Sequence, residues 1–342
     1  MRLFLRRALP LAGAPAALLA TAAAAPRPLA AQVPSVPGTL VVTNKRPSTA
    51  TIVDVASGRA LATVPTGQGP HEIVLSRDGR TAVVTDYGGR PAGATLTVID
   101  VPAGRVARTI ALGEYRAPHG IVFLPGDSLV AVTSEATGHV VVAHVGEGVV
   151  RRAVPTQARG SHMVAVAADG VRAFTGNMGS HSVSELDLRA GTFVRSWAVP
   201  DVPEAINVTP DGREVWVGSN ARHLVSVLDP ARGTAATAAE GVDWPYRVLF
   251  TPDARTVIVP DMNGDVVRFL DRASRRELGR LAVPGGGPQG IILTPDGRYA
   301  FLSLSKQGRV AVLDVGARRI VGSVPAGETP DGVAFAPAAA RR

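Results

Sequence analysis

Short runs of β-branched and aliphatic residues recur along the chain, each closed by a polar turn. Thr81–Asp86, Leu129–Ser134, Glu214–Gly218, Thr256–Asp261 and Tyr299–Ser303 are too short and too rich in Val, Ile and Thr for helices, and they predict strands. After a turn, a second run ends near an aspartate, as in Leu96–Asp100, Val225–Asp229 and Val310–Asp314. A third follows, such as Arg105–Ile110 or Arg319–Val324, and a fourth opens on proline: Pro70–Leu75, Pro118–Phe123, Pro288–Leu293. Four strands joined by Gly, Asp and Pro turns predict an antiparallel meander.

One turn repeats almost verbatim at Ser76–Arg80, Thr209–Arg213, Thr251–Arg255 and Thr294–Arg298, with degenerate copies at Ala167–Val171 and Leu124–Ser128. Successive copies are 48, 43, 42, 42 and 43 residues apart, the period of one four-stranded propeller blade. The array starts in mid-blade with Thr39–Asn44 and ends with Pro330–Phe335, so the last strand supplies what the first blade lacks. Seven blades in a closed ring follow, and the split terminal repeat argues against an open solenoid. The Ala-rich stretch Thr234–Ala239 predicts one weak outer strand.

The N-terminus has Arg2, Arg6 and Arg7, then an apolar small-residue run from Leu11 to Ala25, and reads as a secretory signal peptide. The expected organisation is a signal peptide over 1–31 and the propeller over 32–342, with a periplasmic or extracellular location and no transmembrane anchor. Four arginines and no acid leave with residues 1–31, so a formal charge of +8 becomes +4. The remainder is scattered singly, which does not make a nucleic-acid footprint. The absence of cysteine excludes disulfides, thiolate metal sites and covalently attached c-type haem.

The segments Val42-Thr43-Asn44, Val84-Thr85-Asp86 and Val98-Ile99-Asp100, with the Pro-Asp-Gly turns, resemble the YVTN-type β-propeller repeat family over residues 38–337. That resemblance implies an all-β, seven-bladed propeller of four-stranded antiparallel blades. It implies little about function, since members include surface-layer and periplasmic binding proteins, and more distant propellers carry haem, copper or lactonase sites.

In such a propeller the strand after the proline is innermost, so its second residue faces one mouth of the channel. In ring order these residues are Asp331, His71, His119, His162, Glu204, Tyr246 and Gln289. Three of seven histidines fall on these seven positions, where random placement would put fewer than one. His71, His119 and His162 with Glu204 and Asp331 are therefore a candidate site for a divalent metal, zinc or copper. The competing reading is that each histidine orders its own loop by hydrogen bonding to exposed backbone. The turns on the same face add Glu135 and Asn177, and the loops before the prolines add Arg116, Trp244 and, just after, Arg247. With Tyr246, these are candidate ligand-binding residues.

Gly285–Gly287 opens no helix and is not a phosphate cradle, and no nucleophile–base motif is present. The expected function is an exported binding or interaction protein whose small-molecule or peptide ligand sits on the channel-mouth face. A metal-assisted lactonase, lyase or oxidoreductase using the three histidines is the alternative, and a structural envelope or surface-layer component is another.

Overall fold

The computed structural model describes residues 36–338. The signal-peptide reading lies outside the described residues. Among them there is no helix, and so none that is long and apolar enough to cross a membrane. Instead, 28 strands form seven four-stranded antiparallel sheets. Six are continuous in sequence: β4–β7 (70–111), β8–β11 (118–155), β12–β15 (161–198), β16–β19 (203–240), β20–β23 (249–282) and β24–β27 (288–325). The seventh joins β1 (Gly38–Asn44), β2 (Thr49–Asp54) and β3 (Arg59–Pro65) to β28 (Pro330–Pro337), in the order β28-β1-β2-β3. Blade 1 is this composite, and blades 2 to 7 follow in chain order. The predicted closure is present: β28 pairs with β1 from Gly38↔Pro337 to Asn44↔Pro330 and packs beside the inner strands of blades 2 and 7.

The repeated turn is held by its aspartate. In the four closest copies the carboxylate accepts the Ser76, Thr209, Thr251 or Thr294 hydroxyl at 2.6 Å and the backbone N–H of Arg80, Arg213, Arg255 or Arg298 at 3.0–3.1 Å. Gly79, Gly212 and Gly297 take the left-handed conformation this turn needs, with φ near +70°. Each sheet then buries apolar side chains against its neighbours, with Trp216, Phe174, Phe269 and Phe301 fully enclosed. The interval of 48 residues is explained by blade 2, whose β5 (Thr81–Gly88) and β6 (Ala92–Asp100) are longer than their counterparts and lift Tyr87 to the mouth.

One expectation is overturned. Thr234–Ala239 is no weak strand: β19 (Thr234–Glu240) has seven residues and pairs along its length with β18 (Leu224–Asp229). An edge strand facing solvent needs main-chain pairing more than bulk, and alanine supplies that. The short strand is β20 (Leu249–Phe250), innermost in blade 6. Its partner β21 (Thr256–Asp261) carries Pro260, which has no N–H to donate, and only the single bridge Pro245↔Asp261 continues the pairing.

All seven inner strands share one irregularity. Between their first residue and the regular ladder there is one residue more than on the partner strand, as between Pro70↔Asp86 and Ile73↔Val84, or Pro118↔Ser134 and Ile121↔Val132. This is a β-bulge. It brings inner strands so close that a Cβ on Gly120 would lie 2.8 Å from Met163 Cα, and one on Gly332 would lie 2.5 Å from His71 O. Gly120→Ala is therefore expected to lower unfolding free energy by about 1–3 kcal/mol in denaturant titration, because backbone has to move. An unchanged midpoint would show that the blades can separate freely.

Candidate functional site

The bulges aim the second residue of each inner strand into the mouth. His71, His119 and His162 come from consecutive blades and their rings touch: centroids are 4.9 Å apart for His71–His119 and 3.8 Å for His119–His162. Tyr87 covers the same cluster, 4.4 Å from His71 and edge-on to His119 at 5.4 Å. The backbone beneath is fixed by threonine hydroxyls, Thr43 Oγ1 donating to His71 O at 2.8 Å and Thr133 Oγ1 to His162 O at 2.7 Å, each across a blade boundary.

Two polar networks diverge from this cluster. On one side His162 Nδ1 faces Glu135 Oε2 at 2.8 Å and His162 Nε2 faces Glu204 Oε1 at 3.3 Å. Tyr87 donates its hydroxyl to Glu135 at 3.3 Å, and the Asn220 amide donates to Glu204 at 2.9 Å. Side chains of blades 2, 3, 4 and 5 are thereby linked in one chain. On the other side Lys45 Nζ lies 2.7 Å from Asp331 Oδ2, and Tyr246 donates to Asp331 Oδ1 at 2.7 Å. Arg247 reaches across the channel to Glu72, donates to Tyr246 O at 2.6 Å and lies over the Tyr246 ring.

Protonation follows from these partners. Burial works against charge on His162, but the Glu204 and Glu135 carboxylates outweigh it and raise the ring to about 9. Burial and then the Lys45 charge lower His71 to about 4; burial and then the charge of His162 hold His119 well below the ordinary histidine value. One imidazolium therefore sits beside two neutral rings. Against burial, the Lys45 charge holds Asp331 below the usual carboxylate range, while burial pushes Glu72 up in opposition to Arg247.

The structure brings His71, His119, His162, Glu204, Glu135, Tyr246, Arg247 and Asp331 to the mouth, but in two groups. His162 shares its nitrogens with carboxylates, and Asp331 belongs to the Lys45–Tyr246 group. Among the described residues no group of three or more His, Asp or Glu side chains is disposed to hold a metal ion. Asn177 is fully buried and spends its amide on Ser161, Ser182 and Ser184, holding its own blade together. Arg116 is exposed three residues before His119, with its carbonyl accepting from Ser134 and Ala136. Trp244 is half-buried, anchored by its backbone N–H to Asp261.

Lys45 and Glu72 were not anticipated. Glu72 could have been found by lining up the third residue of each inner strand, where only Glu72 and Arg247 carry charge. Lys45 follows a turn asparagine and has no such signal.

No protein-family model and no curated protein matches the chain. Among solved structures, Kuenenia stuttgartiensis hydrazine synthase superposes with a TM-score of 0.66 at 19% identity, over 79% of this chain and 90% of that one. The likeness is one of fold. It supports a seven-bladed propeller, and the narrower repeat family finds no match.

The two shifted rings set opposite pH limbs. His162, raised in the folded state, contributes stability fully present below 6.5 and lost as pH climbs through about 9. His71, lowered when folded, contributes stability present above 6.5 and lost as pH falls through about 4. His162→Gln is expected to flatten the alkaline limb, removing about 3 kcal/mol of pH-dependent stability between neutral pH and pH 9. Urea titrations across that range read it; an alkaline limb identical in wild type and variant would show that His162 is not the imidazolium.

Proposed function

We propose that the chain is an exported binding propeller that takes a small polar molecule or peptide end at the mouth lined by His71, His119, His162, Glu135, Glu204 and Tyr87. The observation that carries this reading is the presence there of buried polar atoms with no partner in the protein, His119 Nδ1 and Asn220 Oδ1, with Gln289 Oε1 at the corresponding inner-strand position of blade 7. Buried polar atoms are nearly always paired, so several on one face favour a ligand that completes them. The Arg-led apolar N-terminus supports export.

A ligand-observed NMR screen of polar fragments against the purified protein tests the assignment. Fragments that bind are expected to lose binding in a Tyr87→Ala, Glu135→Ala double variant and to keep it in Arg213→Ala, on the opposite face. Binding indifferent to the double variant would remove the mouth from consideration.

A metal is the second reading, favoured by the neutral state of His71 and His119. Zinc or copper would be held by these two rings and would supply a Lewis acid. His162 would join only by leaving Glu135 and Glu204. Dialysis against Zn²⁺ or Cu²⁺ followed by metal analysis decides this: one equivalent lost in His119→Ala supports the metal, and no bound metal at micromolar concentration removes it.

A further inference from the structure

Resting on the reading of the mouth as the binding face, we infer that its arc from blade 2 to blade 5 takes a small organic ammonium, a monocation with several N–H donors.

His71 Nδ1 lies 2.9 Å from Gly69 O, and a carbonyl only accepts, so Nδ1 carries the hydrogen and the neutral ring presents Nε2 as an acceptor. Asn220 Nδ2 donates to Glu204, which fixes the amide orientation and leaves Oδ1 as a buried acceptor without a partner. Asn220 is 7% exposed and His119, whose Nδ1 is also unpartnered, is 3% exposed. Most donors of the mouth, by contrast, are committed, the exceptions being the one N–H of the neutral His119 ring and Trp244 Nε1. Both His162 nitrogens face carboxylates, Tyr87 donates to Glu135, and Tyr246 and Lys45 meet Asp331. Arg247 is spent on Glu72 and Tyr246 O. The spare hydrogen-bonding capacity is thus mainly of the accepting kind, at His71 Nε2, Asn220 Oδ1 and one nitrogen of His119.

Charge points the same way. Lys45 balances Asp331 and Arg247 balances Glu72, whereas Glu135 and Glu204 share the single cation His162. That arc therefore sets two carboxylates against one contacting cation, beside the Asn220 carbonyl. Tyr87, packed 4.4 Å from His71 and 5.4 Å from His119, adds the one ring of the cluster whose face favours a cation. A carboxylate ligand would meet the unbalanced acids, and a neutral alcohol would leave the charge unmatched.

Saturation-transfer NMR with n-butylammonium, n-butanol and n-butyrate, three probes of one tail and different heads, tests this on the purified full chain. Butylammonium is expected to bind saturably, about tenfold or more tightly than either of the others. Glu135→Gln, nearly isosteric and partly exposed, and Asn220→Ala are each expected to weaken it about fivefold or more, with Arg213→Ala unchanged. Thermal unfolding of both variants confirms that they are folded; loss of binding in a folded Glu135→Gln suffices if Asn220→Ala is not. Butanol or butyrate bound equally well and displaced by mouth substitutions would overturn the ammonium assignment and leave the mouth standing. Absence of saturable butylammonium binding at millimolar concentration would overturn it, and probe binding indifferent to every mouth variant would take the binding face with it.

Discussion

The one-residue bulge at the start of every inner strand is the constraint on which the mouth depends. A regular ladder would alternate side chains between the two blade interfaces, and none would be free to face the axis. The extra residue breaks that alternation once per blade and re-aims one side chain into the channel. Proline opens six of the seven segments, where it marks the strand start without removing a needed donor; Ser161 takes its place in blade 4 and binds Asn177 instead. The same kink brings adjacent inner strands within backbone contact, which is why glycine occupies positions 120, 290 and 332.

Once seven side chains are forced into a shared space, their charge states cannot be chosen independently. Three imidazoles in ring contact cannot all be protonated away from water, and the neighbours decide which one is. His162 has a carboxylate at each nitrogen, whereas His71 has a carbonyl at one and lies in the field of Lys45. The single proton charge therefore settles on blade 4. The hydrogen-bonded chain from Tyr87 to Asn220 then ties blades 2 to 5 together through side chains, as the Lys45, Asp331 and Tyr246 contacts tie blade 1 to blade 6.

Much of this was legible in the sequence, for reasons that mark what sequence can carry. The period, the turn aspartate, the split terminal repeat and the ring of second residues are all local patterns repeated at fixed spacing, so each copy supports the others. What was hidden depends on contacts between single residues of distant blades. Nothing local distinguishes Asn177, which closes its own blade, from Asn220, which orients Glu204. The strength of β19, expected to be weak, and the shortness of β20, which was not anticipated, share a related reason. Alanine content says little in an edge strand where only the backbone matters, and Pro260 acts on the neighbouring strand, as a missing donor, rather than on its own segment.

The polar crosslinks also decide what kind of channel this is. Arg247 to Glu72 joins blade 6 to blade 2, and Tyr246 to Asp331 joins blade 6 to blade 1. Both run as chords across the axis rather than along the ring. A conduit through the centre would have to break two buried, charge-assisted contacts, whereas a ligand resting against the histidine arc breaks none. The chords take up the charged groups of blades 1, 2 and 6, so the buried hydrogen-bonding capacity left unfilled beside the histidine arc lies at His119 Nδ1 and Asn220 Oδ1.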